Sequence, residues 1–210
     1  MRSCSGLAFI PAFTPFDLRF IGVNVRFAAF TIRAKGKNSD NNEENMVILG
    51  IDPGLATIGF GVLEKDKFGR ATPIDYGVIL TPKEESIPTR LAMLEESLIK
   101  LIDKYKPEEI ALEELFFNNN QKTAINVAQA RGVILLTCTK MCGRLFEYTP
   151  LQIKQALTGY GRADKRQIQE MVKTLLHLKS IPRPDDAADA VAVALTHIFT
   201  NRFSGEFGVR

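Results

Sequence analysis

Cysteine, histidine and long apolar runs are all scarce in this chain, and each shortage excludes a class of protein. The 210 residues include three cysteines, and an odd number without regular spacing argues against a disulfide framework. Cys138 and Cys142 lie four residues apart in an apolar helical stretch without a further Cys or His pair nearby, so we interpret them as core or half-buried thiols rather than metal ligands. No run of 18 apolar residues is present, which argues against a membrane span. We therefore expect a soluble, cytoplasmic protein of a reducing compartment.

A strong net charge of either sign is also lacking. The formal charge is +3, which alone says little about partners, so a polyanion would have to bind a polarised face. The best candidate is residues 150–184, where only Asp164 and Glu170 oppose a larger basic set. That set is Lys154, Arg162, Lys165, Arg166, Lys173, Lys179 and Arg183. It is either a solvated basic face or a surface that contacts a phosphate backbone.

The composition changes near residue 45, which divides the chain into two parts. Residues 1–37 are rich in phenylalanine and arginine, and the polar run 37–45 that follows is typical of a linker. Three interpretations stay open for residues 1–45: upstream sequence translated from a miscalled start, an organelle targeting peptide, or a functional extension. We predict that 1–45 is disordered or miscalled, and that 46–210 forms a single domain.

From Met46 onward the apolar pattern is regular enough to predict secondary structure. Strands are predicted at 46–52, 58–64, 74–81, 109–115 and 145–148. Helices are predicted at 88–105, 122–142, 150–157, 165–176 and 186–201. Short connections favour an antiparallel meander of the first three strands, and a crossover makes the fourth strand parallel to the first. The prediction is an α/β fold whose five-stranded mixed sheet is flanked by helices.

Four carboxylates in three separated motifs are the most informative residues. Asp52 ends an apolar run before Pro-Gly, and Glu113 lies inside another apolar run. Asp186 and Asp189 are three residues apart at the start of an apolar helix, so they share one face. An ionised carboxylate in an apolar strand is costly unless something pairs with it, and Mg²⁺ prefers oxygen ligands. The pattern therefore predicts a Mg²⁺ site.

Each motif also has a purely structural interpretation. Asp52 could be a turn aspartate, and Glu113 could lie on an exposed edge strand. Asp186 and Asp189 could be ordinary first-turn acids, which the helix dipole favours. The metal-site interpretation depends on the combination, because the start of a core helix can reach the sheet edge where the other two acids end. Neither histidine lies in an acidic motif, so histidine is not expected to be the general base.

Two adjacent phenylalanines, Phe116 and Phe117, follow the Glu113 strand directly. They cannot both face the core of a strand, so one is expected to be exposed beside the site. An exposed aromatic ring there could stack on an unpaired base. The alternative is packing beneath a loop.

Several of these motifs, taken in order, resemble the RuvC family of crossover junction endodeoxyribonucleases. They are Gly50–Gly54 with Gly59–Val62, Ala111–Phe116, Gln129–Val133, Gln152–Gln155 and Asp186–Ala190. The similarity is collinear from about Met46 to about Asn201, and residues 1–45 have no counterpart in it. It implies a ribonuclease H-like nuclease domain over 46–210, a homodimer, and resolution of four-way (Holliday) DNA junctions in recombination and repair. It also implies work with the RuvA–RuvB branch-migration complex.

The resemblance assigns roles to individual residues. It implies that Asp52, Glu113, Asp186 and Asp189 are catalytic metal ligands, and that Phe116 is the stacking aromatic residue. Lys154 and Lys165 fall on the family's basic residues near the scissile phosphate, with Lys165 in a catalytic role. Two Mg²⁺ ions per site are expected, replaceable by Mn²⁺, and such ions lie about 3.5–4 Å apart in two-metal sites.

Other classes with a related fold fit the sequence less well. Sugar kinases and actin-type ATPases need two such domains and a second phosphate motif, for which this chain is too short. A noncatalytic junction-binding module would not need all four acids. The short YqgF-type nucleases are the closer alternative, but the motifs at 129–133 and 186–190 favour RuvC.

Overall fold

A computed structural model describes residues 45–114 and 121–200. Ten elements follow one another along these residues. In chain order they are β1 (Met46–Asp52), β2 (Thr57–Lys65), β3 (Ala71–Leu80), α1 (Ile87–Tyr105), β4 (Glu109–Glu113), α2 (Gln121–Met141), β5 (Leu145–Tyr148), α3 (Pro150–Thr158), α4 (Lys165–Leu175) and α5 (Asp185–Thr200). The order and type of all ten elements agree with the sequence prediction.

The strands form one mixed sheet in the order β3-β2-β1-β4-β5. β1, β2 and β3 are an antiparallel meander, whereas β4 and β5 run parallel to β1. The predicted five-stranded mixed sheet is therefore confirmed. β3 begins at Ala71, earlier than predicted, because an edge strand tolerates Pro73 within it. The predicted end of β4 at Leu115 lies outside the described residues.

Helices cover both faces of the sheet and create two cores. One core lies between the sheet and helices α1 and α2, and the other lies between the sheet and helices α3, α4 and α5. α5 is the central helix of the second core, where Ala187, Ala188 and all residues from 190 to 198 are buried. Its burial explains why its sequence after the first turn is almost entirely apolar.

Three glycines let α5 lie unusually close to the sheet. A Cβ atom at Gly59 would collide with the backbone carbonyl of Asp186, and one at Gly50 would collide with the carbonyl of Ala190. At Gly61 a Cβ atom would lie 2.7 Å from Cγ2 of Val191. Close approach of a backbone is a common reason for glycine inside a strand. The glycines therefore bring the start of α5 against the ends of β1 and β2.

The interpretation of the two cysteines holds for the part of the chain that the structure describes. Cys138 is fully buried and Cys142 is half-buried, and neither forms a disulfide. Burial raises the pKa of the Cys138 thiol to about 12, which makes it a poor ligand or nucleophile. Across residues 45–114 and 121–200, no helix has the length and apolar character needed to cross a membrane.

Candidate active site

Asp52 and Glu113 are the last residues of two neighbouring strands. Ile51 pairs with Leu112 in the parallel ladder between β1 and β4, so the next residues of both strands lie side by side. Because side chains alternate along a strand, both acids lie on the face that α5 covers. β4 is flanked by β1 and β5, so the edge-strand interpretation of Glu113 is wrong.

Asp186 and Asp189 lie in the first turns of α5, which reaches the same edge of the sheet. Gly59 makes room for the backbone of Asp186, as described above. The charges of Asp186 and Asp189 both act on Asp52, and that of Asp189 also acts on Glu113. The structure thus brings all four predicted carboxylates together, two at strand ends and two on α5.

Burial and nearby negative charges disfavour the charged forms of Asp52, Glu113 and Asp189. Burial, with the nearby charges of Glu113, Asp189 and Asp186, raises the pKa of Asp52 to about 8. Burial and the charge of Asp189 raise the pKa of Glu113 to about 7. Burial also raises the pKa of Asp189, although a hydrogen bond from Lys165 opposes that effect. The charges of Lys165 and Lys154 offset those of the four acids only in part, and the remaining negative charge favours binding of a cation.

Lys165 is the cation closest to the acids. It is the first residue of α4, and its Nζ lies 2.8 Å from Oδ2 of Asp189 and 3.7 Å from Oδ2 of Asp185. Partial burial lowers the pKa of Lys165, but the hydrogen bond to Asp189 and the surrounding acids outweigh it and raise the pKa overall. The ammonium therefore stays charged at neutral pH.

A cleft of about 180 Å³ opens beside the acids. Its lining includes the predicted residues Glu113, Asp189, Lys154 and Lys165. Lys154 lies in α3, and its charge lowers the pKa of Glu113. The cleft thus places two cations opposite two carboxylates, an arrangement that suits an anion and a metal ion bound next to each other.

The donor set fits a hard divalent cation. All four acids offer oxygen ligands, and neither thiol nor imidazole belongs to the cluster. In the described ranges, however, no three His, Cys, Asp or Glu side chains already form a closed metal-binding group. Lys165 instead provides the positive charge next to Asp189. A metal ion would have to gather the side chains around itself and share Asp189 with Lys165.

Some predicted residues are not at the site or lie outside the described residues. Phe116 and Phe117, the predicted stacking pair, lie outside them, as do residues 1–44. Part of the basic stretch is paired locally: Arg183 binds Asp185 at 2.5 Å, and Lys173 lies 4.0 Å from Glu170. Those pairs are a solvated face, whereas Lys154 and Lys165 belong to the cleft.

Two features were not indicated by the sequence patterns, one beside the acids and one centred on the far end of α5. Asp185 pairs with both Arg183 and Lys165, and its only signal was its position beside Asp186. His197, Tyr148 and Glu109 form a buried polar network that no local motif indicated. His197 is indeed remote from the acidic motifs, since it lies in the last turn of α5.

Comparison with known proteins agrees with this geometry. The family model described as Crossover junction endodeoxyribonuclease RuvC matches residues 48–197. The chain belongs to the RuvC family. A curated RuvC from Finegoldia magna is 55% identical over 158 residues, which are 75% of this chain and 96% of the relative. One from Petrotoga mobilis is 58% identical over 152 residues, which are 72% of this chain and 93% of the relative.

Solved structures of the RuvC family are similar to this fold. Thermus thermophilus RuvC in complex with Holliday junction substrate has a TM-score of 0.71 and 36% identity, covering 75% of this chain and 95% of its own. The yeast mitochondrial Holliday junction resolvase Ydc2 has a TM-score of 0.57 at 15% identity, covering 76% of this chain and 80% of its own, and supports the fold alone. This RuvC member has the ribonuclease H-like fold.

Membership of the RuvC family makes the chain an endonuclease that hydrolyses DNA. A divalent metal is expected for nucleases of this fold, and the acidic cluster is the place in the described structure where such an ion fits. The cleft with its two lysines is where a phosphate can reach those acids.

Proposed function

We propose that this chain resolves four-way DNA junctions by metal-dependent hydrolysis at the cluster of Asp52, Glu113, Asp186 and Asp189. The observation that carries the proposal is the convergence of these half-buried acids at one site, where the pKa of Asp52 reaches about 8 and that of Glu113 about 7. The Thermus thermophilus relative bound to a Holliday junction substrate supports the choice of substrate.

We propose Mg²⁺ as the physiological cofactor, held by these four carboxylates as two ions that Mn²⁺ can replace. Bound there, divalent ions would activate water, neutralise the phosphate and stabilise the leaving oxygen. The protein's own contribution is to hold the ligands at the ends of two rigid strands and one core helix. Ion binding would also restore the ionised state that burial disfavours.

The two lysines of the cleft have different proposed roles. Lys165 lies 2.8 Å from Asp189, so it can stabilise charge that develops on the phosphate next to the metal ligands. Lys154 reaches the cleft from α3, a separate helix, and we assign it to the DNA backbone. We expect Lys165→Ala to reduce the cleavage rate more than junction affinity. Equal losses in both quantities would remove its catalytic role.

Phe116 remains our candidate for stacking on a base at the opened junction centre. It follows the Glu113 strand by three residues, so it lies beside the acids in sequence. Loss of the ring in Phe116→Ala should cost roughly 1–3 kcal/mol of stacking. A variant that melts early yet distorts and cleaves junctions normally would identify Phe116 as a packing residue instead.

A homodimer would bring two such sites to a two-fold junction and allow paired cuts. Helix α2 offers a candidate interface, because the large apolar side chains of Ile125 and Leu136 are 67% and 53% exposed. Gly132 lies between them, with no atom near the position of a Cβ. Leu136→Glu should therefore yield a monomer that nicks but does not cut in pairs, as measured by ultracentrifugation and plasmid cleavage.

The compartment, the partner complex and the role of residues 1–45 can also be proposed. We propose action in the cytoplasm beside the RuvA–RuvB complex, with residues 46–210 as the nuclease domain and residues 1–45 dispensable. A shortened chain beginning at Met46 should match the full chain in melting temperature, dimerisation and junction cleavage. A shortened chain that cannot fold or cut would mean that the phenylalanine-rich segment packs on the domain or touches DNA.

The decisive experiment is cleavage of a synthetic four-way junction. We expect paired incisions with Mg²⁺, none with EDTA, and little cutting of a linear duplex of the same sequence. Asp52→Asn should bind the junction and leave it uncut. Full cleavage by Asp52→Asn, or equal cutting of the linear duplex, would refute the assigned site or the assigned substrate respectively.

A further inference from the structure

A chain of buried polar groups runs from the far end of α5, at His197 and Glu109, to Tyr148, which ends β5 beside Glu113. His197 is completely buried in α5, and its Nε2 lies 2.7 Å from Oε2 of Glu109 at the start of β4. Its Nδ1 lies 2.7 Å from the hydroxyl of Tyr148 at the end of β5. The other oxygen of Glu109 lies 2.5 Å from Nη2 of Arg144, and the hydroxyl of Thr200 lies 3.2 Å from that of Tyr148.

One arrangement of protons gives these groups hydrogen bonds to one another. A neutral His197 donates from Nε2 to the Glu109 carboxylate and accepts at Nδ1 from the Tyr148 hydroxyl. The Arg144 guanidinium neutralises Glu109 from the solvent side. Burial lowers the pKa of His197 and raises the pKa of Tyr148, which favours the neutral form of both. A buried polar network that is fully satisfied defines one geometry.

Two members of the network, Glu109 and His197, lie on the same elements as the proposed metal ligands Glu113 and Asp189. Glu109 and Glu113 are four residues apart on β4, which corresponds to about 13 Å along a strand. His197 and Asp189 are eight residues apart on α5, which corresponds to about 12 Å along a helix. α5 runs antiparallel to β4, so the His197–Glu109 contact at one end and the Asp189–Glu113 pair at the other are separated by matching lengths.

We infer that the Glu109–His197–Tyr148 network fixes the axial position of α5 on β4 and β5, and thereby sets the spacing of Asp189 and Glu113 for the metal ion. Gly50, Gly59 and Gly61 seat α5 closely on β1 and β2. The hydrogen bonds at the two ring nitrogens of His197 add a directional restraint that ties α5 to β4 and β5. Glu109, His197 and Tyr148 are thus positioning residues that contact neither DNA nor metal. The inference rests on the proposed function of the acidic cluster.

The test compares two tyrosine hydroxyls. Tyr148→Phe removes the hydroxyl that binds His197, and Tyr105→Phe removes one that donates to Asp75 on β3. Tyr105 packs with the core on the opposite face of the sheet, so it is a matched control for lost stability. Mg²⁺ binding would be measured by calorimetry on the DNA-free protein, together with junction cleavage at saturating junction, junction affinity in EDTA, and melting temperature.

We expect Tyr148→Phe to weaken Mg²⁺ binding and slow cleavage roughly 10-fold, the usual order for groups that orient metal ligands. Junction affinity in EDTA should not change, and Tyr105→Phe should leave both Mg²⁺ binding and cleavage as in the wild type. Glu109→Gln keeps an acceptor for His197, so it should retain more Mg²⁺ affinity than Glu109→Ala.

Two outcomes overturn the inference. If Tyr148→Phe and Tyr105→Phe lower the melting temperature alike and neither changes Mg²⁺ binding, the network only stabilises the fold. If Tyr148→Phe slows cleavage by weakening junction binding in EDTA, its effect is on DNA. A wild type that binds Mg²⁺ yet cuts no junction would instead refute the proposed function, and the calorimetric comparison would still decide the inference.

Discussion

Two glutamates on one face of β4 are treated in opposite ways by the fold. Glu109, at the start of the strand, is almost fully buried and receives both Arg144 and His197. Glu113, at the end of the strand, faces other carboxylates, and burial together with Asp189 raises its pKa to about 7. The same residue type is fully paired at one end of α5, whereas at the other end the charges of Lys165 and Lys154 only partly offset the surrounding carboxylates.

The difference shows how a structural carboxylate can be distinguished from a functional one. Burying a charge is tolerated when partners satisfy it, as they do around Glu109. A fold that leaves four acids poorly compensated loses stability there, and a ligand of opposite charge can restore it. We therefore expect chemistry at the end of α5 where the carboxylate charges are not fully neutralised. At the other end, where Glu109 is paired, we expect precise positioning.

The largest predicted effect comes from neutralising the cleft glutamate. Glu113→Gln should lower junction cleavage by more than the roughly 10–100-fold typical of groups that merely orient metal ligands. Because the change removes repulsion, the melting temperature of the metal-free protein should not fall. Glu114→Gln is the matched control, since the neighbouring side chain is exposed and should leave cleavage intact. Similar cleavage rates for Glu113→Gln and Glu114→Gln would mean that Glu113 is not a functional carboxylate.

The close approach of α5 should matter to both ends of the helix. Gly59→Ala places a methyl group against the backbone of Asp186, which a packed core cannot absorb without moving the helix. We expect a loss of about 1–3 kcal/mol in the free energy of unfolding, measured with urea, together with weaker Mg²⁺ binding. Wild-type stability in Gly59→Ala would show that the start of α5 is not held as tightly as the structure indicates.

The raised pKa values predict an unusual dependence of stability on pH. In the folded protein Asp52 and Glu113 have pKa values of about 8 and about 7, whereas in the unfolded chain both are near 4. Both groups therefore bind protons more tightly in the folded state. The folded state then holds more protons, so the free energy of unfolding of the metal-free protein should fall as pH rises from about 4 to about 8. Mg²⁺ should reverse much of this loss at the upper end. Asp52→Asn should flatten the dependence of the free energy of unfolding on pH. An unchanged dependence in Asp52→Asn would contradict the raised pKa of Asp52.

The smallest predicted effect distinguishes a cleft lysine from a solvated one. Lys154→Ala should weaken junction binding and reduce the slope of log affinity against log salt by about one, as for one lost phosphate contact. Lys173→Ala is the control from the same basic stretch, because Lys173 already lies near Glu170 at the surface. Equal slopes for both variants would place Lys154 among the solvated charges.

Apolar periodicity and turn residues were enough to predict all ten elements and the mixed sheet, because these signals are local. They failed at Ala71, where β3 continues through Pro73 only because it is an edge strand. The acids were also predictable, since a carboxylate inside an apolar run is conspicuous wherever it occurs. The network of Glu109, Tyr148 and His197 was not, because each of its members has an ordinary local context.

The sequence by itself identified the candidate site residues and the order in which the elements occur, since residue type and apolar spacing act over short distances. Tertiary structure alone decided which charges are compensated. Glu109 and Glu113 look alike in sequence, and only the packing of α5, allowed by Gly50 and Gly59, brings His197 to one and Asp189 to the other. Electrostatic energies depend on distance and burial in space, which the order of residues along the chain does not specify.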